Sequence, residues 1–248
     1  MTRAVIIGEV ALANNTDLSD PSSPSASSTT SNIRLENFSS LEKVAPNPTV
    51  VHQTTSTPGE YTIDVTSIPR TTIAFKYQVH IDPASLASSA PLLLTPAWRI
   101  EPTQSSVILS YAPNPSLTTP LTLQNLVLAI HLGSDGARAS SCLSKPTGTF
   151  SRERSVIYWK LDELVLTPGG APQKMLARFQ TEGQATQGKV EARWEVRGPA
   201  SGALGSGLAI TRLEAPEADP FADSSDATGQ WKEVNTVRKV CSGTYVAS

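Results

Sequence analysis

Cysteine, histidine, charge and long apolar runs are all scarce in this 248-residue chain, and each shortage excludes something. Two cysteines, Cys142 and Cys241, rule out a multi-disulfide framework. His52, His80 and His131 stand far apart, and none lies at metal-ligand spacing from another His or a Cys. Charged residues make up 17%, with 20 Lys and Arg against 22 Asp and Glu and a net charge of -2. A nucleic-acid binder or a polybasic membrane domain needs a clustered basic excess, so neither is expected. No stretch approaches the roughly 18 continuous apolar residues of a membrane span. The apolar start is interrupted by Gly8 and Glu9, with no signal-cleavage pattern after it, and the chain reads as soluble and intracellular. Also missing are a H-E-x-x-H pair, a nucleophile elbow and a phosphate-cradling glycine loop; Gly205-Ser206-Gly207 reads as a turn. No cofactor or metal is expected, and no enzymatic activity.

What is present is alternation with a period of two. Ile73, Phe75, Tyr77 and Val79 alternate with Thr72, Ala74, Lys76 and Gln78. Val107, Leu109 and Tyr111 share a face, as do Ile157, Trp159 and Leu161. Met175, Ala177 and Phe179 alternate with Leu176 and Arg178, and Val190, Ala192, Trp194 and Val196 alternate with Glu191, Arg193, Glu195 and Arg197. Such a pattern puts one side of a strand in a core and the other in water. Turn-rich pieces such as Pro113-Asn114-Pro115 and Thr167-Pro168-Gly169-Gly170 separate the runs, so the expected fold is all-β, built of more than one sandwich. Residues 17–32, rich in Ser, Thr and Pro, and the acidic residues 215–230 offer too little apolar surface to offset their ordering entropy and read as flexible loops. Cys142 reads as a plain buried or loop cysteine, and Asp162-Glu163 as a solvated turn after a strand.

One order of segments is more specific. Phe75-Lys76-Tyr77-Gln78-Val79, Pro91-Leu92-Leu93-Leu94, Pro96-Ala97-Trp98-Arg99 and Tyr111 with Asn114-Pro115 follow one another as in the mu-homology domain of the muniscins. Tyr158-Trp159-Lys160-Leu161, Leu176-Ala177-Arg178-Phe179 and the ending from Arg238 to Tyr245 extend the resemblance over most of the chain. The resemblance implies an elongated all-β domain of two β-sandwich subdomains, one inserted in the other. It assigns 1–90 and 185–248 to the outer sandwich and 91–184 to the inserted one, with the final strand, from Val237 to Ala247, paired to early sequence. Trp98, Tyr111, Trp159 and Trp194 are expected in the core. The family's first strand would precede Thr2, and its absence would leave a sheet edge open; the F-BAR domain of the family is not part of this sequence, so membrane contact is expected only indirectly.

By the same resemblance the chain is an endocytic adaptor domain at early clathrin-coated pits, in the cytoplasm beside the plasma membrane. Its implied partners are EH-domain scaffold proteins, bound through Asp-Pro-Phe segments, with transmembrane cargo and a clathrin adaptor complex as further partners. An acidic-aromatic segment needs a basic surface for the Asp and an apolar pocket for the Phe. Arg238 and Lys239, before the last strand, are the first candidates, and Lys174 and Arg178, beside Met175 and Phe179, the second; the plain reading of each pair is a solvated strand face. Asp219-Pro220-Phe221 in the acidic loop is an internal copy of the motif, to be weighed against a simple turn. Three other readings compete. A receptor for tyrosine-based sorting signals would carry Trp-x-Arg near its last strand, whereas here Asn235-Thr236-Val237-Arg238 stands there and Trp231 lies upstream. A β-sandwich enzyme or carbohydrate-binding module would need clustered carboxylates or an exposed aromatic platform. A structural role would use self-association along an open edge.

Overall fold

The computed structural model describes residues 4–13, 30–53, 57–68, 70–199, 204–214, 229–243 and 245–247. Strands dominate them, with no α-helix and two short 3-10 turns, Phe38–Ser40 and Pro83–Ser88, among the described residues. The chain divides into two compact units, each made of two segments: Met1–Ala84 with Gly205–Val237, and Ser85–Leu204 with Arg238–Ser248. All strand pairs quoted below are antiparallel.

In the first unit, β1 (Ile6–Leu12), β3 (Leu41–Pro46) and β6 (Thr72–Val79) form a sheet in the order β1-β6-β3. A five-stranded sheet, β16-β15-β2-β5-β4, comprises β2 (Thr30–Glu36), β4 (Val51–His52), β5 (Glu60–Asp64), β15 (Ala209–Glu214) and β16 (Gln230–Glu233). Both sheets give side chains to one core: Ile33, Leu35, Tyr61, Ile63 and Ile210 from the larger, Phe75, Val10 and Val44 from the smaller. The alternation expected for β6 breaks once. Val10 pairs with Phe75 but Ala11 pairs with Ile73, so Ala74 is an extra residue in the ladder. A bulge of this kind turns the chain by one residue. Ala74 and Phe75 are therefore both buried while Ile73, expected inside, is 38% exposed. Tyr77 lies across from Gly8, and its ring occupies the place a side chain there would take; a Cβ on Gly8 would come within 2.0 Å of the ring.

In the second unit, β7 (Leu92–Glu101), β8 (Gln104–Pro113), β10 (Ala139–Lys145) and β13 (Gln173–Thr181) form a four-stranded sheet in the order β10-β13-β8-β7. A six-stranded sheet, β11-β12-β9-β14-β17 with β18 also on β14, comprises β9 (Leu121–His131), β11 (Thr149–Ser151), β12 (Val156–Leu166), β14 (Val190–Arg197), β17 (Lys239–Cys241) and β18 (Tyr245–Ala247). Leu92, Leu109, Met175 and Phe179 from one sheet meet Leu128, Ile157, Trp159 and Val190 from the other in a single core. Full burial of such side chains stabilises by about 1.5–3 kcal/mol each. The buried polar atoms of the large aromatics are matched: the Trp159 indole donates to the Pro146 carbonyl at 2.9 Å, and the Tyr111 hydroxyl donates to Gln173 Oε1 at 2.7 Å.

Asn125 lets β9 change face in mid-strand. Its φ is 51°, in the left-handed region that side chains rarely adopt and that Asn tolerates best. The β14–β9 register slips beside it, so that both Leu123 and Leu126 point inward. Opposite them, Leu164 and Leu161 of β12 follow the same switch, and Asp162 and Glu163 lie exposed within the strand rather than in a turn after it.

Two expectations change. β14 and the end of the chain, assigned to the outer sandwich with 185–248, hydrogen-bond into the second unit's six-stranded sheet, and the first segment of that unit runs on to Leu204. The final strand therefore pairs with β14 and not with early sequence. Its two strands, β17 and β18, both lie on β14: Arg197 faces Lys239 and Glu195 faces Cys241, and in a register shifted by one residue Ala192 faces Tyr245. Just after β17, Ser242 Oγ accepts the Trp194 N–H at 2.8 Å while the Ser242 N–H donates to the Trp194 carbonyl at 2.9 Å, and the Tyr245 ring meets Trp194 edge-on at 5.8 Å. That apolar contact is what commits the last strand to this sheet. Of the two loops, residues 17–29 and 215–228 lie outside the described residues, whereas Thr30 to Asn32 begin β2 and Gln230 begins β16.

Candidate functional site

Because β13 alternates strictly, Lys174, Leu176 and Arg178 all point away from the core that Met175, Ala177 and Phe179 enter. The neighbouring strands are in register, so their outward residues form rows. Lys145, Leu176, Ile108 and Ala97 make one row across β10, β13, β8 and β7; Leu143, Arg178, Ser106 and Arg99 make the next. Leu143 is 73% exposed, Leu176 43% and Ile108 42%, three large apolar side chains together on the face of one sheet. They floor an open groove of about 490 Å³ that Arg99, Lys145 and Arg178 also line. Arg99 is paired with Glu101 at 2.8 Å, whereas Lys145, Lys174 and Arg178 have no ion-pair partner among the described residues. An apolar floor with uncompensated cations beside it suits a ligand that is both acidic and aromatic.

Arg238 and Lys239 sit elsewhere. Lys239 heads β17 on the outer face of the six-stranded sheet, where its Nζ is 3.0 Å from Glu195 Oε2. Arg197 reaches the same oxygen at 3.2 Å, and Asn125 Nδ2 lies 3.4 Å from it. The hydrogen bond from Lys239, then that from Arg197, holds the Glu195 carboxyl below the ordinary carboxylate range. This basic pair is thus partly neutralised by the sheet itself. The main-chain carbonyl of Arg238 accepts the Gly198 N–H at 2.9 Å, closing the turn after β14.

The sequence pattern named Lys174 and Arg178 but missed Leu143, Leu176, Ile108 and Lys145. The signal was available in the apolar residues on the wrong side of an alternating strand, above all Leu176 between Met175 and Ala177. Asp219-Pro220-Phe221 lies outside the described residues.

Other clusters offer less. A second groove, about 730 Å³, is lined by Arg138, Arg152, Glu153 and Glu182, charges of both signs. Trp231 in the first unit has one indole face covered by Arg34, whose guanidinium is 4.7 Å from the ring centroid and bonded to Glu36 at 2.8 Å. Trp159, Trp194 and Tyr111 are buried and Trp98 packs partly against the core, so these rings form no exposed platform. Burial pushes the Cys142 thiol up to about 11, which leaves it protonated and unreactive at neutral pH. Among the described residues no group of three or more His, Cys, Asp and Glu is placed to hold a metal, and no helix is long and apolar enough to cross a membrane.

Compared with known proteins, the chain matches the muniscin C-terminal mu homology domain over residues 1–248. It is 35% identical over 227 residues to the suppressor of yeast profilin deletion of Saccharomyces cerevisiae, which covers 86% of this chain and 24% of that protein. Cytoskeletal protein syp1 of Schizosaccharomyces pombe is 30% identical over 124 residues, 49% of this chain and 15% of the relative. The chain thus spans about a quarter or less of the length of these two relatives. The solved Fcho1 mu homology domain of Danio rerio, with a bound Eps15 peptide, superposes with a TM-score of 0.58 at 19% identity, over 88% of this chain and 78% of that one.

Proposed function

The chain belongs to the muniscin C-terminal mu homology family, and from that premise we propose that it is an endocytic adaptor domain that docks Asp-Pro-Phe segments of EH-domain scaffold proteins on the outer face of its four-stranded sheet. The observation that carries this reading is the pairing of exposed Leu143, Leu176 and Ile108 with Lys145 and Arg178, cations no carboxylate neutralises among the described residues. The Phe of such a segment removes apolar floor from water, at about 25 cal/mol per Å² buried. Its Asp meets cations whose attraction speeds encounter and selects acidic partners. The bound Eps15 peptide of the Fcho1 domain supports peptide docking as the mode of action. The role places the protein in the cytoplasm at plasma-membrane sites of clathrin-coated pit formation, with transmembrane cargo and a clathrin adaptor complex as further partners and no catalytic step.

The test is a calorimetric titration with a peptide carrying two Asp-Pro-Phe motifs, at low and high salt. Joint reversal by Lys145→Glu and Arg178→Glu is expected to weaken binding about tenfold or more, and salt to weaken the wild type. Full affinity in that variant, with loss instead on reversing Arg238 and Lys239, overturns the site and moves it to the β17 face.

A further inference from the structure

The two edges of the four-stranded sheet are unlike, and the difference says how a peptide would lie on it. β7, at one edge, carries Pro96 in its interior and the ion pair of Arg99 and Glu101 near its end. A proline removes a backbone donor, and charges discourage strand addition, so this edge is protected. β10, at the other edge, runs for 7 residues, Ala-Ser-Ser-Cys-Leu-Ser-Lys, with no proline inside it. Among the described residues its only strand partner is β13; the Ala139 N–H at its start donates to Ser155 Oγ at 3.1 Å, and beyond that residue its far side is without a strand partner. Leu143, the most exposed residue of the groove floor, stands in the middle of this strand, two residues from Lys145.

Resting on the docking function above, we propose that the partner segment binds as an added antiparallel strand along β10, with its aromatic residue beside Leu143 and its acidic residue beside Lys145. The spacing decides the direction. In an extended chain, residues two apart share a face, so the Asp and Phe of Asp-Pro-Phe project together into the groove while the proline between them turns away. Leu143 and Lys145 are also two apart and face the same side. Setting Asp against Lys145 and Phe against Leu143 makes the segment run opposite to β10. Arg178, directly across from Leu143 on β13, then lies on the diagonal from the Asp. The proline has no N–H, and it fits an added strand at a position whose donor would point away from β10. Main-chain bonds supply affinity in this mode, and the side-chain pair supplies selection.

The experiment uses the full chain and the two-motif peptide in two forms, unmodified and with the Phe amide N-methylated in both motifs. Methylation leaves both side chains and the charge in place but blocks the strand bond. The strand mode predicts a loss of about tenfold or more on methylation, together with slowed amide exchange at β10 residues in the unmodified complex. Equal affinity for both forms, with Lys145→Glu and Arg178→Glu still weakening the unmodified peptide, overturns the added strand while leaving the docking site intact. Absence of binding by either form from a folded chain overturns the docking function and this mode with it.

Discussion

Lys239 and Glu195 face one another diagonally across the β14–β17 pair, with 3.0 Å between ammonium and carboxylate. Arg197 shares the same carboxylate oxygen. A basic residue that looks available in the sequence is thereby employed in holding the last strand to its sheet. The contact also defines what a charge reversal there would report. Lys239→Glu would set a second carboxylate beside Glu195, so weakened binding in such a variant would have to be separated from loss of β17. The double variant Arg238→Glu with Lys239→Glu is expected to melt at lower temperature yet, where folded, to bind the acidic peptide within about twofold of wild type. Parallel melting curves and titrations check this.

The Glu195 tie has a pH signature. Its carboxyl sits below the ordinary value of 4.5, chiefly through the hydrogen bonds of Lys239 and Arg197. A depressed carboxylate contributes stability above the unfolded value and loses it as pH falls through the folded one. Protection of the β17 amides, their exchange relative to the intrinsic rate at each pH, should therefore hold down to pH 4.5 and fall only below it. Glu195→Gln should lower that protection at neutral pH.

His131 and Glu191 give a second pH dependence, in the same unit. His131 Nε2 is buried without an aligned hydrogen bond, 3.3 Å from Glu191 Oε2, and Lys189 Nζ is 2.5 Å from the other oxygen. Burial holds the imidazole below its ordinary 6.5 despite the nearby Glu191 charge, with Lys189 and Arg154 adding to the depression. Burial pushes the Glu191 carboxyl up, but the Lys189 hydrogen bond and the His131 charge outweigh it and keep it low. Both groups leave the folded state holding fewer protons than the unfolded chain as pH falls. Stability is thus full above 6.5 and declines below it, first through His131. Melting temperature measured from pH 7.5 to 5 should fall less steeply in His131→Asn than in wild type.

Much of this fold was legible because burial follows a period of two, and most runs obeyed it, β13 strictly and β14 everywhere but at the buried Glu191. The pattern failed where the backbone inserts a residue. Nothing in Thr72-Ile73-Ala74-Phe75 announces that Ala74 is a bulge, since the cause lies in its pairing with Val10 and Ala11. The last strand was misplaced for a related reason: its partner is decided by Tyr245 meeting Trp194, a contact between residues far apart in sequence. The site was half legible. Lys174 and Arg178 could be named from their alternation, but only the lateral register puts Arg178 beside Leu143 and Leu176 beside Ile108. Which cations are already paired is likewise a property of the sheet.

Asn125 is a backbone requirement more than a side-chain one. At φ 51° a β-branched residue is strained, by about 1–3 kcal/mol. Asn125→Val should lower the denaturation midpoint accordingly, and Asn125→Gly should cost little, because glycine adopts that conformation freely. A similar loss for both variants would show that the Asn125 side chain matters more than its φ.

Gly8 makes the same kind of demand through space. A methyl group there would overlap the Tyr77 ring, and Tyr77 also accepts the Ser206 hydroxyl at 3.1 Å, which resists its displacement. Overpacking of this kind costs about 1–3 kcal/mol. Gly8→Ala should show that loss in chemical denaturation, and combining it with Tyr77→Ser should recover part of it, since the second change removes the clash.

Neighbours on β13 offer the sharpest separation of binding from folding. Leu176 and Met175 are adjacent in sequence, yet one is 43% exposed on the groove floor and the other buried in the core. Met175→Ala should cost about 2–5 kcal/mol of stability through its cavity. Leu176→Ser and Leu143→Ser remove little that folding uses and should leave the denaturation midpoint within about 0.5 kcal/mol of wild type. If these leucines form the floor for an aromatic side chain, each change should weaken peptide binding about fivefold, the loss of roughly 1 kcal/mol of apolar contact. That loss should be the same at low and high salt, because no charge is altered. Arg178→Glu should instead lower affinity most at low salt and flatten the salt dependence. Unchanged affinity in both leucine variants would mean that the exposed apolar floor is not where the peptide lies.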